Sequence, residues 1–407
     1  MDKHTKNIVM KKRILISIDS LRCAGAEKSL ITFLSALDYN KFEVDLQLFQ
    51  YGEVLEQFIP KEVNVLPTFS YTKFLKKSVL KQLLSFDLKK IIARWRYSIT
   101  LRWKRKSSHT DKARFYWKSC KSVLPNYDKQ YDIAIAYAQS IPTFYVAEKV
   151  NAKLKLSWVN CEYNLSPENI KFQEIFYKKI DNIVVVSDAA KEVFKNKYPQ
   201  FVDKMVVIWD MLNADIIKDM SDIETSTNMD KSVPCLLTVA RLNKEQKGFD
   251  IALETCKILK DRGIIFKWYV VGQGPYREEM ETFISQNNLQ DVFIFLGTTA
   301  NPYPYYKDCT IYVQTSRHEG FGLSIAEARI LNRPVVTTEF SAVYNQMIQN
   351  KNGIVVKQDP PAVADAIELL LNNKDLYQEI QEFQKNEKKG NLEEIEKFYK
   401  IIEDSNI

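Results

Sequence analysis

Histidine is nearly missing from this chain of 407 residues: only His4, His109 and His318 occur. So few argue against a His-based metal centre or a Ser/His triad. The six cysteines (Cys23, Cys120, Cys161, Cys235, Cys256 and Cys309) never form a C-x-x-C pair. They read as reduced thiols of a cytoplasmic protein, with neither a disulfide framework nor a zinc site. No D-x-D pair occurs anywhere, so a metal-held diphosphate lacks its usual carboxylates. Glycine (11) and proline (13) are scarce against 45% hydrophobic residues, a globular composition. No stretch approaches the ~18 apolar residues of a membrane-spanning helix. The basic N-terminus "MDKHTKNIVMKKRILISIDS" offers only the short apolar run Ile14–Ile18 before Asp19. That is too short for a secretory signal and reads better as a buried strand. The expectation is a cytoplasmic protein, soluble or peripheral on the inner face of the cell membrane.

Acid is missing from one region. From Tyr71 to Lys121, Asp87 and Asp111 stand against sixteen lysines and arginines, a net +14 in a chain whose total is +7. The remainder is therefore acidic, at −7. Within this segment residues 75, 79, 80, 83, 84 and 88 are apolar and fall on one helical face, with lysines elsewhere. The pattern suits an interfacial helix on an anionic membrane surface; a solvated helical cover over the domain is the plainer alternative. Nucleic acid is the other acidic partner class, but no recognition motif for it is present, and none is expected to bind.

Two parts of the chain share a plan. "RILISID", "RCAGAEKSLITFLSAL" and "FEVDLQLF" read as strand, turn-plus-helix and strand; "CLLTVARL", "KGFDIALETCKILKDRG" and "IIFKWYVVG" repeat the order. Apolar strands alternating with helices imply parallel sheets and doubly wound α/β units. "DIAIAYA", "KLKLSWVN" and "NIVVVSDAAKEVF" add strands to the first unit. The polar stretch 213–232 reads as a linker. The tail "NLEEIEKFYKIIEDSN" places apolar residues at 392, 395, 398, 401 and 402, one helical face. The expected domains are 1–212 (carrying 71–121), a linker 213–232, 233–388, and a C-terminal helix within 389–407.

The stretch "RHEGFGLSIAEAR" sets Glu319 and Glu327 on either side of the turn Gly320-Phe321-Gly322, just ahead of a helix expected over Leu323–Leu331. Free amides and the positive dipole end at a helix start seat a phosphate, and glycines let the backbone approach it. Alone, such a turn is often no more than a turn. Two carboxylates beside it add acceptors for vicinal hydroxyls, as acidic residues serve a ribose. Anion and polyol together point to a sugar nucleotide. Arg241 and Lys247, in "VARLNKEQKGF" at a strand end, supply two cations that can offset diphosphate charge without a metal. "VGQGP" is a second strand-end glycine turn, at Gly272.

Taken together, "VARLNKEQKG", "VVGQGP", "NPYPYYKDCTIYVQTSRHEGFGLSIAEA" and "RPVVTT" resemble the donor half of retaining family-4 (group 1) glycosyltransferases of the GT-B fold. The similarity is greatest to bacterial enzymes that build capsular and other surface polysaccharides. It implies two Rossmann-like, doubly wound domains facing across a cleft, with the acceptor on the N-terminal and the nucleotide-sugar on the C-terminal domain. It also implies metal-independent transfer with retention, UDP as the nucleotide, and no cofactor beyond the donor itself. The acceptor would be a lipid-linked or free oligosaccharide. By the same resemblance Arg241 and Lys247 bind the diphosphate, Glu327 the ribose and Glu319 the transferred sugar. The amides of Gly320, Phe321, Gly322 and Leu323 take the distal phosphate and sugar, while Gly272 lines the nucleotide.

The N-terminal half is similar through "RCAGAEKSL", where Gly25 remains of a glycine-rich loop and Ala24 replaces its first glycine. Ser187 resembles a strand-end serine turn. In "LSWVNCEY", Asn160 occupies the place where a histidine usually faces the donor sugar, and Glu162 follows. Asn160 cannot take a proton; it can bond a sugar hydroxyl, merely cap its strand, or mark lost catalysis. In a retaining front-face reaction the leaving diphosphate can itself accept the acceptor's proton. His318 reads as a loop residue rather than a base. Two other readings remain open: a non-catalytic GT-B subunit that activates or localises a sister transferase, and a GT-B enzyme of another reaction, such as a nucleotide-sugar epimerase.

Overall fold

The computed structural model describes residues 10–22, 25–104, 107–160, 165–223, 226–405 and 407. Two compact units divide them: 1–209 with 393–407, and 210–392.

The first unit is built on seven strands: β1 (Lys12–Ile18), β2 (Phe42–Leu48), β3 (Val63–Val65), β4 (Tyr127–Ala136), β5 (Val150–Val159), β6 (Asn182–Val185) and β7 (Met205–Val207). All pair in parallel, in the order β3-β2-β1-β4-β5-β6-β7. Ile14, Leu15 and Ile16 are successive residues of β1 and all are buried. A strand apolar on both faces needs cover on both, and parallel crossovers through helices supply it. The second unit has six: β8 (Cys235–Val239), β9 (Lys267–Val271), β10 (Phe293–Gly297), β11 (Ile311–Gln314), β12 (Val335–Thr338) and β13 (Gly353–Val356). They too are parallel, in the order β10-β9-β8-β11-β12-β13. The order reverses between β8 and β11, where an open α/β sheet leaves a crevice at its carboxyl edge.

Two expectations need correction. The stretch 213–232 is not simply a linker. Ala214–Asp222 is a helix, capped by the Asn213 side chain, which accepts from the amides of Asp215 and Ile216. It is part of the second unit: the Asn301 amide donates to Met220 O at 2.7 Å, and Lys307 pairs with Asp222 at 2.7 Å. With only Ile216, Ile217 and Met220 among acids, its apolar face is too narrow to show as a period. The apolar positions 75–88 do not share one helix either. Ser78 and Asp87 cap new starts, giving helices Ser70–Leu75, Val79–Leu83 and Leu88–Trp103, and Phe86 turns the chain at φ 53°.

The C-terminal helix Ile395–Asp404 belongs to the first unit. Its Ile395, Phe398, Ile401 and Ile402 are buried, as the period requires. The Phe398 ring meets Phe33 edge-on at 5.1 Å and lies 6.4 Å from Phe42. Tyr399 stacks on Phe42 at 5.9 Å, and its hydroxyl accepts from the Asp38 amide. Ring burial and tilted aromatic contacts reinforce one another here. Phe398→Ala is expected to destabilise the first unit by about 3–5 kcal/mol, measured by urea unfolding, with the second unit's transition unmoved.

Candidate functional site

Three strand ends of the second unit build the site, and close backbone approaches fix them. After β8 the chain runs through Ala240–Asn243 into the short helix Lys244–Lys247. After β9 it turns at Gly272 and Gly274. A Cβ on Gly272 would lie 1.9 Å from Ala240 O, and one on Gly274 2.1 Å from Leu242 O. The two loops are laced by Ala240 N to Val271 O and Leu242 N to Gln273 O. Gly248, at φ 60°, ends the short helix where a Cβ would strike Thr315 O at 2.1 Å. Only glycine lets these loops pack so closely.

The loop after β11 is tied to the same helix. The amides of Arg317 and His318 both donate to Gln246 O, and Thr315 Oγ1 donates to Lys247 O. Arg317 makes a two-pronged bond to Asp250, Nη1 to Oδ1 and Nη2 to Oδ2, each 2.8 Å. Burial alone would raise the Asp250 carboxyl; the guanidinium holds it below the ordinary value. Sequence reasoning missed this pair, whose partners lie 67 residues apart.

The loop delivers Glu319 to Lys247: Oε1 accepts from Lys247 Nζ at 2.5 Å, Gln314 Nε2 at 2.9 Å and Ser316 Oγ at 2.7 Å. Glu319 is buried and Lys247 half-buried, so each ion meets the other largely out of water. Such a pair is costly to break from one side, because the survivor is left buried and alone. Arg241, by contrast, is exposed, with no carboxylate partner among the described residues.

Glu327 is 1% exposed. Tyr303 donates to its Oε1 at 3.1 Å and Tyr306 to its Oε2 at 3.0 Å. Burial, then the neighbouring Tyr312 and Glu327, keep the Tyr306 hydroxyl far above its ordinary pKa, so it stays a donor. Tyr306 stacks on Tyr312 at 5.1 Å, and Tyr312 OH donates to Gln314 Oε1. Gln314 in turn donates to Glu319. One network thus joins both carboxylates, and its middle members, the "YPYY" tyrosines and Gln314, were not singled out from sequence.

Between the carboxylates, Gly320, Phe321 and Gly322 are buried, and Gly322 stands at φ 89° as the cap of the helix Leu323–Ile330, with no side-chain cap bond. Gln346 Nε2 donates to the carbonyls of Phe321 and Gly322, fixing the turn from behind. Its first amides lack helical partners by geometry. His318 is exposed beside the turn. Among the described residues, no group of three or more His, Cys, Asp or Glu is placed to hold a metal.

In the first unit, Gly25 opens the exposed start of the helix Gly25–Ala36; Ala24 and Glu162 lie outside the described residues. Ser187 caps the helix Asp188–Lys197 by accepting from the Ala190 amide at 3.0 Å. Asn160 follows β5. Its Nδ2 donates to Tyr137 O at 2.8 Å and its amide to Gln139 Oε1 at 3.0 Å. Its Oδ1 is buried and unpartnered among the described residues. Asp19, at the carboxyl end of β1, keeps some exposed surface but is crowded enough that burial, and then the charge of Glu27, push its carboxyl up to about 7. Such perturbed groups concentrate at functional edges, and only the fold, not the sequence, marks this one.

Residues 219–387 match the family model described as glycosyl transferases group 1. Among curated relatives, the chain is 25% identical to a poly(ribitol-phosphate) alpha-N-acetylglucosaminyltransferase of Staphylococcus aureus, over 48% of this chain and 38% of that one. It is 28% identical to the capsular polysaccharide biosynthesis glycosyltransferase CapM of Staphylococcus aureus, over 35% and 38%. The chain spans about half the length, or less, of the curated relatives it first matches. Among solved structures, TarM of S. aureus superposes with a TM-score of 0.69 at 16% identity, covering 97% of this chain and 99% of that one. HepE of Anabaena, in complex with UDP-glucose, gives 0.64 at 17%, covering 92% and 93%. The family match lies within residues 219–387, while the parallel two-unit architecture and the structural likeness extend over nearly the whole chain: its fold is GT-B, and its second unit resembles the glycosyl transferases group 1 family.

Proposed function

We propose that the chain transfers a sugar from a nucleotide-sugar, UDP-linked, to a lipid-linked oligosaccharide or polysaccharide acceptor, with retention and without a metal. The observation that carries the reading is the Lys247–Glu319 pair, set beside a buried glycine turn where the strand order reverses. An acceptor hydroxyl oxygen bonds to the anomeric carbon as the bond to the diphosphate breaks, on the same face. The acceptor's proton passes to the departing phosphate oxygen. Arg241 and Lys247 stabilise the charge that develops there, and the amides of Gly320 to Leu323 add fixed dipoles. Glu319 orients Lys247 and takes a sugar hydroxyl on its remaining acceptor capacity. Gly272 lines the nucleotide and Gly25 the phosphate side of the donor. The unpartnered Asn160 Oδ1 takes a sugar hydroxyl rather than a proton.

Glu327 is almost fully buried behind the two tyrosines that bond it, so we assign Tyr303 as the group that gives way when a ribose hydroxyl reaches the carboxylate. Its replacement by Phe should lower the melting temperature of the free protein, because a buried carboxylate loses a donor. The same variant should enlarge the melting shift produced by UDP; an unchanged shift would separate Glu327 from the nucleotide.

Activity is tested by nucleotide release from UDP-, GDP- and ADP-sugars with membrane lipid extract, with and without chelator. Chelator-resistant release from one donor is expected, with kcat/KM lowered about 100-fold or more in Lys247→Ala. Binding of UDP without release across the panel would point instead to the non-catalytic subunit.

The raised carboxyl of Asp19 gives a signed pH test. Its folded-state value, about 7, lies above the unfolded one, so charging it opposes folding. The penalty is absent below about pH 4, grows towards pH 7 and is full above it. Asp19→Asn should therefore match the parent's melting temperature in acid and exceed it by several degrees at pH 8.

A further inference from the structure

The helix Leu88–Trp103 has two apolar faces, and only one has a partner. Inward, Ala93 is buried and Ile91 and Tyr97 pack on the first unit's core. Outward, Leu88, Ile92, Trp95, Ile99 and Trp103 follow one another at steps of three or four, a continuous helical stripe. All five are exposed, Trp103 to 88%. The preceding helix and turn add Val79, Leu80, Leu83, Leu84 and Phe86, also exposed, Phe86 to 83%. Scattered surface apolar residues need no account, but ten exposed large apolar side chains within residues 79–103 mark an interaction surface.

Beneath that turn lies a cavity of about 360 Å³ whose polar walls are Ser70, Lys73, Lys77, Ser85, Asp87 and Lys90. Asp87 is already engaged: it caps the helix through the Lys90 amide and pairs with Lys90 Nζ at 2.7 Å. Lys73 and Lys77 have no carboxylate partner among the described residues. The turn is held by Gln82, whose Nε2 donates to Lys77 O at 2.6 Å, and by Ser85 Oγ donating to Gln82 O. An open cavity lined by two ammonium groups without a carboxylate partner among the described residues thus lies in the same segment as the exposed apolar side chains.

We propose that this face docks on an anionic phospholipid bilayer. The ridge enters the headgroup–acyl boundary, and Lys73 and Lys77 receive a lipid phosphate in the cavity between them. The proposal deepens the membrane-linked part of the function above and rests on it, but not on the sugar-transfer chemistry. Charge decides against a second copy of this chain as the occupant. The segment carries sixteen cations and two acids, and its other acid, Asp111, is taken up by Arg114 at 2.9 Å and by the Ser108 capping box. Self-association through the ridge would press like charge on like, whereas an anionic surface neutralises it. Nucleic acid would match the charge but leave the valine, leucine and isoleucine side chains of the ridge unburied.

The test is flotation of the full chain with phosphatidylcholine vesicles, with and without phosphatidylglycerol, alongside Lys73→Ala/Lys77→Ala and Trp95→Ala/Trp103→Ala. Binding should require phosphatidylglycerol. The lysine pair should weaken it about 25-fold, about 5-fold for each charge removed. The tryptophan pair should weaken it at least as much, and millimolar inorganic phosphate should not compete. Lipid-dependent binding indifferent to the lysines would overturn the phosphate cavity while leaving membrane docking intact. Competition by free phosphate would assign the cavity to a soluble anion and overturn its lipid role. No binding to any vesicle would overturn the docking face itself, with transfer to a water-soluble acceptor measured separately and unaffected by that result. Self-association in sedimentation, abolished by Trp95→Glu, would give the ridge to a second copy and overturn the proposal.

Discussion

A parallel sheet covered on both faces has only its strand ends left for chemistry. In the second unit Arg241 and Lys247 follow β8, and Glu319 and Glu327 follow β11. The interior strands are sealed: Leu236, Leu237, Val335 and Val336 are without exposed surface. The chain therefore concentrates its buried charge at one edge, where the carboxylates of Glu319 and Glu327 are stabilised by specific donors rather than by water. For Glu319 these are an ammonium, an amide and a hydroxyl on one oxygen. For Glu327 they are two phenols. The glycines are the mechanical counterpart of this arrangement. Gly248, Gly272 and Gly274 let three loops approach at distances a side chain forbids, so the charged groups converge without long flexible arms.

The two carboxylates differ in a way that divides their work. Glu319 meets a formal positive charge and so presents a nearly neutral pair to its surroundings. Glu327 instead accepts from two phenol hydroxyls, those of Tyr303 and Tyr306. On the proposed reading, a diphosphate at the glycine turn would share Lys247 with Glu319 and so redistribute an existing bond instead of filling an empty cationic hole. That favours interactions strengthened as charge builds over those made equally by the resting substrate.

Much of this was legible in the residues. The β-α alternation, the strands within "CLLTVARL" and "IIFKWYVVG", and the carboxylates around Gly320–Gly322 follow from local pattern and spacing. What stayed hidden is what depends on contact at long range. The Arg317–Asp250 clamp, the stack of Tyr306 on Tyr312 and the relay through Gln314 have no signature in spacing, because tertiary packing creates them. The helix Ala214–Asp222 escaped notice because three apolar residues among acids leave too little period to read. The split of the 71–121 segment into separate helices was written in Ser78 and Asp87, both good caps, but the apolar stripe masked them. Asp19 looked like the polar end of a strand; its raised carboxyl is a property of the fold.

The return of the helix Ile395–Asp404 to the first unit makes the second unit an insertion within it. A chain synthesised from its N-terminus completes all seven strands of the first sheet long before the helix that covers Phe33 and Phe42 exists. At ribosomal speeds of about 5–20 residues per second, the wait while 210–392 is made lasts roughly ten to forty seconds. During that interval Phe33 and Phe42 lack their cover, so the first unit is closed only by residues made after the whole of the second.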